Sequence, residues 1–256
     1  MTYQALRLQL AGPIARIVLA RPDAANRVDD RLLRELAEAT AAIAEAEGVV
    51  LALLEAEGAD FCRGWEESTR SRLLQAPPDD ALVDPFGCLA DLPCPVLAAV
   101  QGQARSAGLE LALAADIRLC ADDAVFSLPE VGYGHLPLAG GSQRLPRVVG
   151  RGPAAAVLLL GETLDAEAAL RAGLVSRVFP RDQLAAQTQA LAERIASRGP
   201  IALRYAKEAV HRGLEMTLDQ GLRFELDLSV ILQTTADRAE GVQAFEERRP
   251  PRFEGQ

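Results

Sequence analysis

The sequence predicts an α/β fold of repeated β-β-α turns, closed by a C-terminal helical region. Three observations predict it. Residues 6–20 read as a strand, a turn and a second strand, and an amphipathic helix and a buried strand follow. Two apolar strands, 49–54 and 95–100, each run into a Gly-punctuated loop. After Arg144 most segments space their apolar residues as helices do.

Taken in order, Leu6, Leu8 and Leu10 alternate with Arg7 and Gln9, a half-buried strand that Gly12-Pro13 turns back into Ile14–Ala20. Arg21 to Asn26 is a loop. Asp29 or Asp30 can cap the next helix, whose stripe is Leu32, Leu33, Leu36, Ala39 and Ile43, and Gly48 ends it. From Glu66 to Leu92 no pattern holds, and Ala76-Pro-Pro-Asp-Asp80 reads as a turn cluster. Gly102 to Gly108 is a loop, and the compact helix after it carries Glu110 in its first turn. Ile117–Cys120 is apolar and leads to Phe126-Ser-Leu-Pro-Glu130. Thr163 or Asp165 caps a helix that Gly173 ends, and a short strand precedes Pro180. Leu184, Leu191 and Ile195 form a stripe that Thr188 interrupts. Segments 201–211, 218–232 and 239–248 are the last helices.

Composition narrows the function classes. A net charge of −9 argues against a nucleic-acid surface and leaves room for local basic clusters. No apolar run approaches the ~20 residues of a membrane helix, and the N-terminus lacks a signal pattern, so no membrane partner is expected. The 4 cysteines lack metal-ligand or CxxC spacing, and with 2 histidines they read as reduced thiols in a cytoplasmic protein without a bound metal.

The chemistry-bearing residues cluster in the strand–loop–helix segments. A helix start has unpartnered N–H groups and partial positive charge, which suit a developing oxyanion. Two such loops can aim two N–H groups at one oxygen. Glu110 and Glu130 add two carboxylates in otherwise apolar settings. Read alone, Glu110 is a helix-dipole acid and Glu130 a capping acid after Pro129.

Phe61-Cys-Arg-Gly64 resembles the F-x-x-G oxyanion loop of the crotonase (enoyl-CoA hydratase/isomerase) superfamily. Ala99-Val-Gln-Gly102 through Glu110 to Asp116, Phe126 to Glu130 with Leu136-Pro137 and Gly140 to Pro146, and Ala172-Gly-Leu-Val175 are similar to its later signatures, in order along nearly the whole chain. The resemblance implies a crotonase-like spiral over 1–195 that holds the CoA and catalytic site. It implies a helical region over 196–256 that packs on the core and on neighbouring subunits, in a homotrimer or a dimer of trimers.

It also implies an acyl-CoA thioester substrate and no separate cofactor, coenzyme A being part of the substrate. Glu110 would activate water and Glu130 deliver the α-proton of an enoyl-CoA hydratase, with the backbone N–H groups of Arg63 and Ala107 as the oxyanion hole. Substrate contacts are implied for Arg21, Ala25, Arg27, Cys62, Gly64, Trp65 and Gly108, and CoA phosphate contacts for Arg248 and Arg249. For Arg21 and Arg27 the alternative is solvated loop charge, for Trp65 a core anchor, and for the tail arginines solubility. Glu66 stands where the family usually has Asp. His135 is a pocket-rim candidate and His211 a surface helix residue. An enoyl-CoA isomerase, another crotonase-type lyase or dehydratase, and a non-catalytic binding member are the alternatives to a hydratase.

Overall fold

The computed structural model describes residues 3–75 and 84–256. Strands β1 (Leu6–Ala11) and β2 (Ile14–Leu19) form the expected antiparallel hairpin. Helix α1 (Asp30–Glu45) begins at Asp29, whose carboxylate accepts from Leu32 N–H at 2.8 Å. That bond satisfies one of the donors a helix start leaves unpaired. The predicted α1 stripe is buried. The helix ends at Ala46, ahead of Gly48. Glu35 on the same helix is buried too, because its carboxylate accepts from the N–H groups of Gln4, Ala5 and Leu6 at 2.7–3.2 Å.

Strands β3 (Leu51–Ala56), β4 (Val96–Val100), β6 (Ile117–Ala121) and β9 (Arg177–Phe179) extend the hairpin into a sheet ordered β1-β2-β3-β4-β6-β9. Every pairing from β2 onward is parallel. All five residues of β4 are buried, as a parallel strand covered on both faces requires. Three short strands, β5 (Gln103–Arg105), β7 (Val125–Ser127) and β8 (Leu164–Asp165), make a second sheet.

The chain therefore climbs as a spiral. β4 turns into β5, and β6 turns into β7, each long strand feeding a short one. The corner after β4 is Gly102 at φ +55, where a Cβ would stand 2.2 Å from Ala59 O. Helix α4 (Ala107–Leu113) completes this β-β-α turn with all seven residues buried.

The segment after residue 66 differs from expectation. Helix α2 (Glu67–Gln75) forms there, and α3 (Gly87–Ala90) follows. α2 buries only Thr69, so no apolar stripe marked it. Glu67 in its first turn pairs instead with Arg70 and Ser71. The turn cluster at 76–80 lies outside the described residues.

The remaining helices are α5 (Gly141–Val149), α6 (Arg151–Ala155), α7 (Ala166–Arg171), α8 (Leu184–Ala196), α9 (Pro200–Gly213), α10 (Leu218–Leu232) and α11 (Ala236–Glu247). Asp165 caps α7 through Ala168 N–H at 2.7 Å. α8 lies on the large sheet, where Leu184 and Ala192 join Leu51, Leu53, Leu97 and Leu119 in one apolar cluster. α9 is tied down electrostatically: Lys207 Nζ and His211 Nε2 stand 3.0 and 2.8 Å from the two oxygens of Asp116. His211 is the surface helix residue expected, with its ring nitrogen on Asp116. Much of α10 faces outward, with Leu218, Leu222, Leu226 and Val230 all exposed on every fourth residue. No helix among the described residues is long and apolar enough to cross a membrane.

Candidate active site

The site grows out of the β4–β5–α4 turn. Ser106 precedes α4 in a positive-φ conformation (φ 54), so the chain reverses sharply between β5 and the helix. Gly108 packs its backbone on the 61–64 loop, where a Cβ would lie 2.1 Å from Cys62 O. Glu110 follows, one turn in and fully buried.

One Glu110 oxygen, Oε1, accepts from Ala139 N–H at 2.7 Å and from Gly141 N–H at 2.9 Å. The other, Oε2, is buried and accepts from no protein group among the described residues. Burial pushes the Glu110 carboxyl up to about 7, against the pull of those two N–H groups, and the nearby Glu130 charge adds to the rise. The Trp65 indole N–H lies near the same carboxylate and outside hydrogen-bond geometry.

Glu130 stands at the start of a 3-10 turn (Glu130–Tyr133) that follows Pro129. It is 8% exposed, and both carboxylate oxygens lack a protein partner among the described residues. It caps nothing, so the bland reading of a capping acid fails. The two glutamates therefore present three buried oxygens that the protein leaves unpaired.

A cavity of about 360 Å³ opens beside Glu130, lined by Arg27, Arg63, Gly64, Trp65 and Glu66, while Glu110 lies behind its wall. Arg70, Leu74, Arg105, Ser106, Tyr133, His135, Leu136 and Leu138 complete the lining. Trp65 is 9% exposed and stacks on Phe86 with centroids 5.8 Å apart. It is core anchor and cavity wall at once. His135 lines the cavity, where the rim candidate was expected.

Backbone hydrogen bonding corrects one expected donor. Arg63 N–H donates to Ala25 O at 3.0 Å, so it is not free for a substrate oxygen. The residue pair is part of a tie between two loops. Asn26 Nδ2 donates to Glu57 O and Asp60 O at 2.9 and 3.0 Å, and its Oδ1 accepts from Arg21 N–H at 2.9 Å. Glu66 N–H donates to Val28 O at 2.8 Å, so the intervening Trp65 N–H points the other way. Trp65 N–H and Ala107 N–H donate to nothing among the described residues.

Other expected contacts are placed elsewhere. Cys62 and Gly108 form the seam between loop and helix and do not line the cavity. Burial pushes the Cys62 thiol up to about 12, which keeps it protonated and unreactive. Arg21 is spent on Asp29 at 2.6 Å, and neither Arg21 nor Ala25 lines the cavity.

Arg249 is also spent: its guanidinium meets Glu240 at 2.6 and 2.8 Å and Glu247 at 2.6 Å. That bonding, with Arg252 N–H, holds Glu240 down at about 2. Arg249 thus fastens the tail to α11 and is not a free phosphate ligand. Arg248 closes α11 as a left-handed cap and lies outside the cavity. Arg105 and Tyr133 as cavity residues, and the Ala139 and Gly141 N–H groups that hold Glu110, were not legible in the sequence.

A parallel spiral whose turns bring two buried carboxylates near each other fits the crotonase superfamily. The family model for enoyl-CoA hydratase/isomerase matches residues 10–256, and the chain belongs to that family. It is similar to a crystal structure of enoyl-CoA hydratase from Bacillus anthracis, with TM-score 0.92, 34% identity and coverage of 99% of this chain and 100% of that one. A "probable enoyl-CoA hydratase" of Mycobacterium bovis is 36% identical over 257 residues, 99% of both chains. The 2,3-dehydroadipyl-CoA hydratase of Escherichia coli is 36% identical over 240 residues, 93% of this chain and 94% of its own.

Proposed function

We propose that the protein hydrates 2-enoyl-CoA thioesters. The observation that carries this reading is the set of three buried, unpaired oxygens on Glu110 and Glu130. Buried polar atoms are rarely left without partners, and a water molecule between two carboxylates supplies donors to both. The thioester oxygen would lie between the free N–H groups of Trp65 and Ala107, with Trp65 replacing Arg63 as the first donor. Glu110 takes a proton from the water as its oxygen bonds to C3. The C2=C3 electrons move toward the thioester, whose oxygen becomes an enolate oxyanion held by the two N–H groups. Glu130 then gives a proton to C2. One carboxyl has gained a proton and the other has lost one, so the sum of the step is addition of water. No cofactor beyond the CoA of the substrate is required.

The test is product analysis with crotonyl-CoA and with a 3-enoyl-CoA. Hydration of the first to 3-hydroxybutyryl-CoA, without conversion of the second to a 2-enoyl product, is the expected result. Isomerisation of the 3-enoyl thioester with no hydration of crotonyl-CoA would contradict it.

We further propose that copies of the chain associate through α10. Its exposed stripe of Leu218, Leu222, Leu226 and Val230 is an apolar face one helix wide. A trimer or a dimer of trimers covers such a face. Leu222→Glu with Leu226→Glu should give a monomer by light scattering; an unchanged mass would exclude this face from the interface.

A further inference from the structure

The cleft contains a cation that hydration does not use. Arg105 ends β5 and stands two residues before Ala107. Its neighbour Ala104 is fully buried, so strand alternation turns Arg105 away from the core and into the cleft, which it lines. Two other cleft guanidiniums have carboxylate partners: Arg63 meets Asp60 at 2.9 Å and Arg70 meets Glu67 at 2.7 Å, while Arg27, on the cavity wall beside Arg63, has none among the described residues. Arg105 has instead a neutral one among the described residues, the Tyr133 hydroxyl at 3.2 Å from Nη2. A guanidinium has five donors, so most of this one remains available. Arg70 adds a buried Nε without a partner on the same cavity.

The place of Arg105 decides what it can meet. Two residues of chain span at most about 7 Å, so its Cα stands close to Ala107 at the proposed thioester oxygen. The CoA phosphates lie at the far end of the pantetheine arm from that oxygen. Arg105 therefore serves the acyl half of the substrate. A purely hydrocarbon chain there would strip water from the guanidinium and return nothing, which is costly. A carboxylate matches its planar fork with two parallel hydrogen bonds.

We propose that Arg105, oriented by Tyr133, receives a carboxylate at the far end of a short acyl chain, so that the preferred substrates are CoA monothioesters of unsaturated dicarboxylic acids. The proposal rests on the acyl-CoA hydratase reading above and narrows its substrate class.

Glutaryl-CoA and valeryl-CoA have equal chain lengths, differ in the terminal carboxylate, and are saturated, so their binding is read apart from turnover. Calorimetry on the wild-type protein should find glutaryl-CoA bound more tightly by roughly 10–100-fold, the range of a charge-assisted hydrogen bond. Arg105→Leu should bring that ratio close to one, and Arg105→Lys should keep part of it. Equal affinities in the wild type, or a ratio that Arg105→Leu leaves intact in a folded protein, overturn the proposal. The wild-type comparison stands even if the variant does not fold. Hydration of 2-pentenoyl-CoA by the same preparation separates the two readings. If it proceeds while the affinities are equal, only the carboxylate proposal fails. If neither 2-pentenoyl-CoA nor glutaconyl-CoA is hydrated while glutaryl-CoA is strongly preferred, the hydratase reading fails and the carboxylate site stands.

Discussion

Glu110 and Glu130 are neighbouring buried carboxylates held by elements of opposite character. The Glu110 element is α4, buried along its whole length, and two backbone N–H groups fix its carboxylate. The Glu130 element is a surface segment: Glu130 points in, while Tyr133 and Leu136 beside it are exposed by 62% and 67%. Among the described residues no donor fixes the Glu130 carboxylate. The difference teaches that the core sets the proton affinity and position of one group, while the other is free to follow the substrate. A base that must meet a water at a fixed angle suits the first element. An acid that must reach a carbon whose position varies with the acyl chain suits the second.

The largest expected effect breaks both elements in turn. Glu110→Gln and Glu130→Gln should each lower kcat for hydration by roughly 10²–10⁴, the range for a positioned acid–base group. Because the two share one water, the double variant should be little worse than either single one. Multiplying losses in steady-state assays would mean two independent roles.

The next effect belongs to the rigid element alone. Ala107→Pro removes a backbone donor and should cost about 10²–10³ in kcat. Ala107→Gly keeps the donor and should be nearly silent. Ser106 already holds a positive φ and is restricted further before proline, so circular dichroism must accompany the assay. Equal losses in both variants would move the oxyanion contact away from this N–H.

The smallest effect is on stability. The folded Glu110 pKa of about 7 lies above its ordinary 4.5. Below about pH 4.5 the group is protonated whether folded or unfolded and costs nothing. As pH rises through 7 the folded protein must ionise a buried carboxyl, and it loses stability on the order of 3 kcal/mol. Glu110→Gln should escape that loss. Its Tm should exceed that of the wild type by more at pH 8 than at pH 5. A Tm difference independent of pH would show that the core does not raise this pKa.

What could be read from the sequence was local. The β1–β2 hairpin, the Asp29 cap and the α1 stripe announce themselves within a few residues, whereas the two glutamates stand out only through the family resemblance. The α2 helix did not announce itself, because its support is polar. Arg63 and Trp65 illustrate a finer limit: their N–H groups point oppositely, and only the loop's pairing with Ala25 and Val28 decides which one is free. Long-range partners were also hidden. Nothing near Arg105 in sequence points to Tyr133, and nothing near His211 points to Asp116. Arg249 resembled a free tail cation because its partners Glu240 and Glu247 sit among other surface charges.

The central claim is that Glu110, poised by its buried helix, is the base that activates water. The pH dependence of kcat/KM for crotonyl-CoA hydration tests it most directly, since kcat/KM reports the ionisations of the free enzyme. The account predicts a rise with an apparent pKa near 7. It also predicts that Glu110→Gln, measured on its residual activity, loses that rise. A profile that is flat between about pH 5.5 and 8.5, or a rise that Glu110→Gln leaves in place, would contradict it.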